Sequence, residues 1–239
     1  MASSQLMKGR LDYEDIRSGM NLMQTVYTVA MVFGVEKVVE ASYGVLISRE
    51  LVRRSASLEL ALCLLLLAIV LLSMRFFWVP RNINSYIVNW FDELQEKVFS
   101  RVTMIHFPIA LLHAVLFYYL CQAFVDMVAA GPEVESRAMA YHAARFVLLY
   151  ASLLLLNAVW LFWITPRRTR QRSPGGIWAY NNIGFFVLVI VAFAVCRSAG
   201  LPNLLLILLA CALFIANSVI DLALAAKYYI LYEDQSRGG

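Results

Sequence analysis

Glu36, Lys37 and Glu40 lie within five positions of one another in the otherwise apolar run MVFGVEKVVEASYGVLI, which begins at Met31. Two carboxylates with a lysine between them can hold a cation, pass a proton or form a buried ion pair. Lys37 and Glu40 are three apart and share a helical face. Glu36 and Glu40 are four apart and repel when both are ionised. One ammonium does not neutralise two carboxylates. A protonated acid, a cation from another helix, a bound cation or water must complete the set. Arg145 stands at a depth compatible with Glu40 and is the expected helper. The plainer expectation is an ion-pair knot that fixes helix packing. The sharper one is an ion or proton path lined by Glu36, Lys37 and Glu40.

A second pairing is expected between Arg75 and Asp221, with Asn217 four residues before Asp221 on the same face. It reads as a structural salt bridge with an amide beside it. His106 and His113 are seven apart in HFPIALLHAVLFYYL, which returns them to one face. Pro108 between them frees a backbone carbonyl on the preceding turn. Histidine titrates near neutral pH, so this pair is a candidate for a proton relay, against the plainer role of hydrogen-bonded packing. Seven residues on one helix is too long an axial step for both rings to ligate one metal. His113 and His142 fall at different depths, which suits a haem badly. No metal and no cofactor is therefore expected.

These groups need elements that hold them away from acyl chains. A Lys, Arg or Asp at the centre of a spanning helix costs roughly 2.5–3.5 kcal/mol. The chain has 239 residues, of which 62% are hydrophobic and 15% charged. Ordinary soluble domains carry about 45–50% apolar and about 25% charged residues. The excess is spread over the whole length and cannot be one appended anchor. The expected fold is all-α: a polytopic membrane protein, residues 1–239 forming one integral membrane domain, built as a six-helix transmembrane bundle.

The six expected spans run from about Asn21 to Ile47, Leu58 to Val79, Val102 to Val128, Met139 to Ile164, Ile177 to Cys196 and Leu201 to Leu231. Residues 1–20 form a polar N-terminal segment with no cleavable signal pattern. Residues 81–101 place Ile83, Tyr86, Ile87, Trp90, Phe91, Leu94 and Val98 on one face. That pattern predicts an amphipathic interfacial helix between the second and third spans. Residues 165–176, with PRRTRQR, form a basic loop. With the N-terminus inside, inner segments hold eleven Lys and Arg against five outside, which places both termini in the cytoplasm. The SRELVRRSAS loop runs against this trend. The expected location is an integral membrane protein of the cytoplasmic or inner membrane.

Cys63, Cys121, Cys196 and Cys211 all sit in apolar runs without paired spacing, as packing residues do. No phosphate loop, HExxH, GxSxG or TVGYG filter is present. An enzyme is the weaker expectation. The formal charge of +4 lies mainly in loops and speaks to topology, not to nucleic acid. The partners expected are the lipid bilayer and either further copies of the chain or subunits of a membrane complex. The leading expectation is a channel- or transporter-like protein moving an ion, a proton or a small solute. The alternative is a non-catalytic accessory or scaffolding subunit.

Overall fold

A computed structural model describes residues 25–26, 28–43, 59–74, 96–130, 136–164 and 174–236. These residues form six helices: α1 (28–43), α2 (Glu59–Met74), α3 (Glu96–Ala129), α4 (Arg137–Ile164), α5 (Pro174–Ser198) and α6 (Asn203–Ser236). Four of them, α3 to α6, are long and apolar enough to cross a membrane by length and composition. α2 is apolar but shorter. The all-helical class stands as read from the sequence.

Two expected boundaries move. Residues 96–101, assigned above to an interfacial helix, are the first turns of α3 and run without a break into the third apolar segment. Nothing in EKVFSRVT is a helix breaker, so hydrogen bonding continues through the change from polar to apolar side chains. The basic loop loses its last three residues, because α5 opens at Pro174. Proline suits a first helical position: its φ is already set and the N–H it lacks would find no helical partner there. Residues 1–20, 81–95 and 165–173, with Arg75 and Arg237, lie outside the described residues.

Helix α4 is the centre of the bundle and touches α3, α5 and α6. Its buried positions fall on two adjoining seams. One runs Met139, Ala143, Phe146, Tyr150, Leu153, Asn157 and Trp160, and the other Val147, Ala151, Leu154, Ala158 and Leu161. Steps alternating four and three are those of helices packed side by side with a small crossing angle. α6 buries a seam of the same kind, Asn203, Ile207, Ala210, Phe214, Asn217 and Asp221, with Leu206, Cys211 and Ser218 buried beside it. Phe214 stacks on Tyr150, with centroids 4.0 Å apart, and more loosely on Phe146 at 6.2 Å. α1 buries Met31, Gly34 and Val38, while α2 buries Ala61, Leu65, Ala68 and Leu72, and the apolar members of both sets join the same core as α3 and α4. The opposite faces expose Val, Leu and Ile in quantity, as apolar surroundings allow.

The helix ends are fixed locally. Ser136 caps α4, its Oγ accepting from the Met139 amide at 3.1 Å. α5 ends in a Schellman turn: Leu201 N–H donates to Cys196 O at 2.9 Å, Gly200 N–H to Arg197 O at 3.3 Å, and Gly200 takes φ +60°. Arg197 then donates to Ala140 O at 2.6 Å and Asn203 Oδ1 at 3.3 Å. One guanidinium thus fastens the α5–α6 turn to the first turn of α4.

Candidate functional site

Three sets of polar side chains meet between these helices. The first lies at the end of the bundle where α3 leads into α4. Arg145 donates to Asp126 Oδ2 at 3.0 Å, and Gln122 Nε2 donates to Asp126 Oδ1 at 2.8 Å. Lys37 Nζ donates to Gln122 Oε1 at 3.3 Å and stands 5.3 Å from the centroid of the Tyr118 ring. His142 Nδ1 approaches Asp126 Oδ2 at 3.7 Å, and the Arg145 guanidinium covers Tyr119 at 5.7 Å. Asp126 is the hub, taking one bond from its own helix and an ion pair from the next.

This arrangement was only partly expected. Arg145, expected beside Glu40, donates to Asp126 instead. Asp126 is three residues from the end of α3 and Arg145 is in the third turn of α4, so the two antiparallel helices bring them level. Glu36 and Glu40 are exposed on α1, and neither makes a hydrogen bond or ion pair among the described residues. Asp126 and Gln122 were overlooked. Their spacing of four on α3 was the available signal.

Breaking this hub tests its weight. Asp126→Asn should destabilise the protein by about 1–2 kcal/mol, well short of the 3–5 kcal/mol expected for a buried pair. The reason is exposure: Asp126 and Arg145 are 25% and 30% exposed. Thermal melting in nanodiscs reads the loss. Adding Arg145→Gln should recover part of it, because no guanidinium is then left without its carboxylate.

The second set joins α5, α6 and α4 in the other half of the bundle. Asn181 Nδ2 donates to Asp221 Oδ1 at 2.6 Å and to Asn217 Oδ1 at 3.0 Å, and Asn217 Nδ2 donates to Tyr150 Oη at 2.9 Å. Asp221 is 1% exposed and makes at least one interaction beyond these. Its expected partner Arg75 lies outside the described residues. Asn217 and Asp221 share one buried face, as their spacing of four implied.

The third set is His113 with Asn157. His113 Nδ1 lies 2.9 Å from Ile109 O, one turn back on α3, and Nε2 lies 2.7 Å from Asn157 Oδ1 on α4. His106 falls on α3, but its side chain lies outside the described set.

Fully buried rings fill the interior beside these sets: Phe117, Phe124, Phe146, Tyr150 and Phe214. Asp126 stands three residues before the end of α3, and Asp221 stands fifteen residues before the end of α6. Among the described residues, no group of three or more His, Cys, Asp or Glu side chains is placed to hold a metal ion. No family model, curated protein or solved structure matches the chain.

Proposed function

We propose that this chain is a polytopic integral membrane protein that moves an ion, a proton or a small solute, and that it works as an assembly of copies. Six spans, with α1 and α2 completing the bundle and both termini in the cytoplasm, fit the distribution of Lys and Arg along the sequence. The observation that carries this reading is the position of Glu36 and Glu40. Both are exposed on α1, on the side away from Met31, Gly34 and Val38, among exposed Val32, Phe33, Val39 and Tyr43. Carboxylates on an apolar helix need water or another protein surface, because acyl chains offer no partner. A path between copies supplies water. The interior of one copy is filled by buried rings and by polar groups bonded to one another, so the path belongs at an interface. Lys37, beside the two acids, ties this face to the Asp126 hub.

The test is flux in liposomes. Glu36→Gln with Glu40→Gln should reduce cation or proton flux at least about tenfold, equivalent to about 1.4 kcal/mol of lost stabilisation of the permeating charge. Insertion and assembly size should stay unchanged. Undiminished flux from a correctly assembled double variant removes the two acids from the path.

The accessory-subunit reading has its own support. The polar groups inside the bundle largely satisfy one another, as in a protein whose interior is structural. On that reading Glu36 and Glu40 face a different chain. Purification from native membranes separates the two: a stoichiometric foreign partner, with no flux from the isolated chain, favours the accessory role.

A further inference from the structure

His113 is the one titratable side chain whose two ring nitrogens are both engaged within the described core. It is 5% exposed, and so is Asn157. Ile109 O can only accept, so Nδ1 must carry hydrogen for the 2.9 Å contact to be a hydrogen bond. That fixes one nitrogen and leaves the proton inventory to Nε2. In a neutral imidazole with Nδ1–H, Nε2 is an acceptor and needs a donor opposite. In an imidazolium, Nε2–H is a donor and needs an acceptor. Asn157 offers both. Its amide oxygen stands 2.7 Å from Nε2, and a half-turn about its last side-chain bond puts the NH2 group in that place with little change of shape.

From this geometry we propose that His113 is a reversible proton-binding site, and that Asn157 is its two-way partner, presenting NH2 to the neutral ring and oxygen to the protonated one. A leucine at 157 would serve neither state, and an aspartate would strongly favour one. An amide alone satisfies both in the same space. The proton enters from water and binds Nε2. No bond other than N–H forms, and release reverses the step. His113 is eleven residues, or about 17 Å along the axis, from Val102, where the apolar run of α3 begins.

The charges described on the neighbouring helices are largely engaged with one another, and Glu59 stands at the first residue of α2. On α3 and α4, Asp126, His142 and Arg145 are bound to one another, Asp126 standing thirteen residues from His113, or about 20 Å along the helix. On α1, Glu36, Lys37 and Glu40 lie level with Phe117 to Asp126, since Gly34 meets Phe117 and Cys121 and Lys37 meets Gln122. On α5, Arg197 is held at the far turn. On α6, Asp221 is bonded by Asn181. Tyr150 Oη accepts from Asn217, and Tyr118 lies beside Lys37.

The test uses the full chain in nanodiscs and does not depend on Glu36 or Glu40. The sequence has three histidines, so 15N spectra of histidine-labelled protein are assigned with His106→Gln and His142→Gln. At neutral pH, His113 should show Nδ1 protonated and Nε2 bare. On acidification from about pH 8 to about pH 4, both nitrogens should become protonated. Over the same range, infrared difference spectra with 13C-labelled asparagine should show one side-chain carbonyl band moving to lower frequency. That band should vanish in Asn157→Leu and in His113→Phe and persist in His142→Gln. A neutral ring protonated at Nε2 with Nδ1 bare overturns the proposal. So does an asparagine band that stays still while His113 gains its proton, or a His113 that stays neutral down to about pH 4. Liposome flux can fail or succeed in the Glu36 and Glu40 variants without altering any of these readings.

Discussion

Replacing Asn217 with leucine should lower stability by roughly 2–4 kcal/mol, one of the two largest losses expected from a single change in this chain. Leucine nearly matches asparagine in shape, so no cavity opens and the loss comes from hydrogen bonding. Asn217 is fully buried and works in both directions, donating to Tyr150 and accepting from Asn181. Its removal takes one bond from each; Tyr150 stays fully buried, and Asn181 stays half-buried with its bond to Asp221. Each such loss costs about 1–3 kcal/mol in folded proteins. Interhelical bonds within membranes average nearer 0.6 kcal/mol, because the separated helices also find partners, which sets the lower bound. Thermal melting in nanodiscs measures the loss. Tyr150→Phe removes one of the two bonds of Asn217, together with the further interaction of Tyr150, and keeps the stack on Phe214, so it should cost at least about half as much. The double variant should then fall short of the summed losses, because the Asn217–Tyr150 bond is counted in both. Full additivity would mean that this bond contributes nothing. A leucine variant as stable as the parent would strip the whole cluster of structural weight.

The sequence disclosed the elements better than their partners. α4, α5 and α6 begin and end within a few residues of the expected apolar runs, except where α6 continues past Leu231 to Ser236. Apolar length is a property of one segment, which is why it can be read directly. Pairing is a property of two segments and of their rotation about their own axes. Arg145 shows the difference: its depth fitted Glu40, but the short α3–α4 connection brings Asp126 against it. Asp126 alone carries no signal in the sequence, because a charge near the end of a span is inexpensive and explains itself. Asn217 and Asp221 were legible as one face, since a spacing of four is local. That Asn181 would bridge both from α5 was not, because nothing in WAYNNIG says which way its first asparagine turns. His113 was legible as a titratable group in an apolar helix; its partner Asn157 is forty-four residues away on α4.

Gly34→Leu should separate α1 from the rest of the bundle while leaving α3 to α6 packed. A Cβ at Gly34 would stand 3.1 Å from Cys121 Sγ and 3.4 Å from the Phe117 ring. Alanine therefore asks its neighbours to give by a few tenths of an ångström. It also gains about 1 kcal/mol of helix propensity, so its net effect is small. Leucine sets three further carbons beyond that Cβ, against a fully buried Phe117 and Cys121. Overpacking of this kind costs about 1–3 kcal/mol, and here α1 relieves it by moving off α3. The population in which α1 is lifted should rise roughly 5- to 150-fold. Cys121 reports the event, because it is buried against Gly34. With Cys63, Cys196 and Cys211 replaced by alanine, a small membrane-permeant thiol reagent should label Cys121 faster by that factor in the leucine variant, and near the parent rate in the alanine variant. The same lift breaks Lys37→Gln122 and carries Glu36 and Glu40 out of register with α3. Flux that depends on those acids should fall together with the rise in labelling. If labelling rises and flux holds, α1 does not carry the path. If neither changes, the glycine contact does not hold α1 in place.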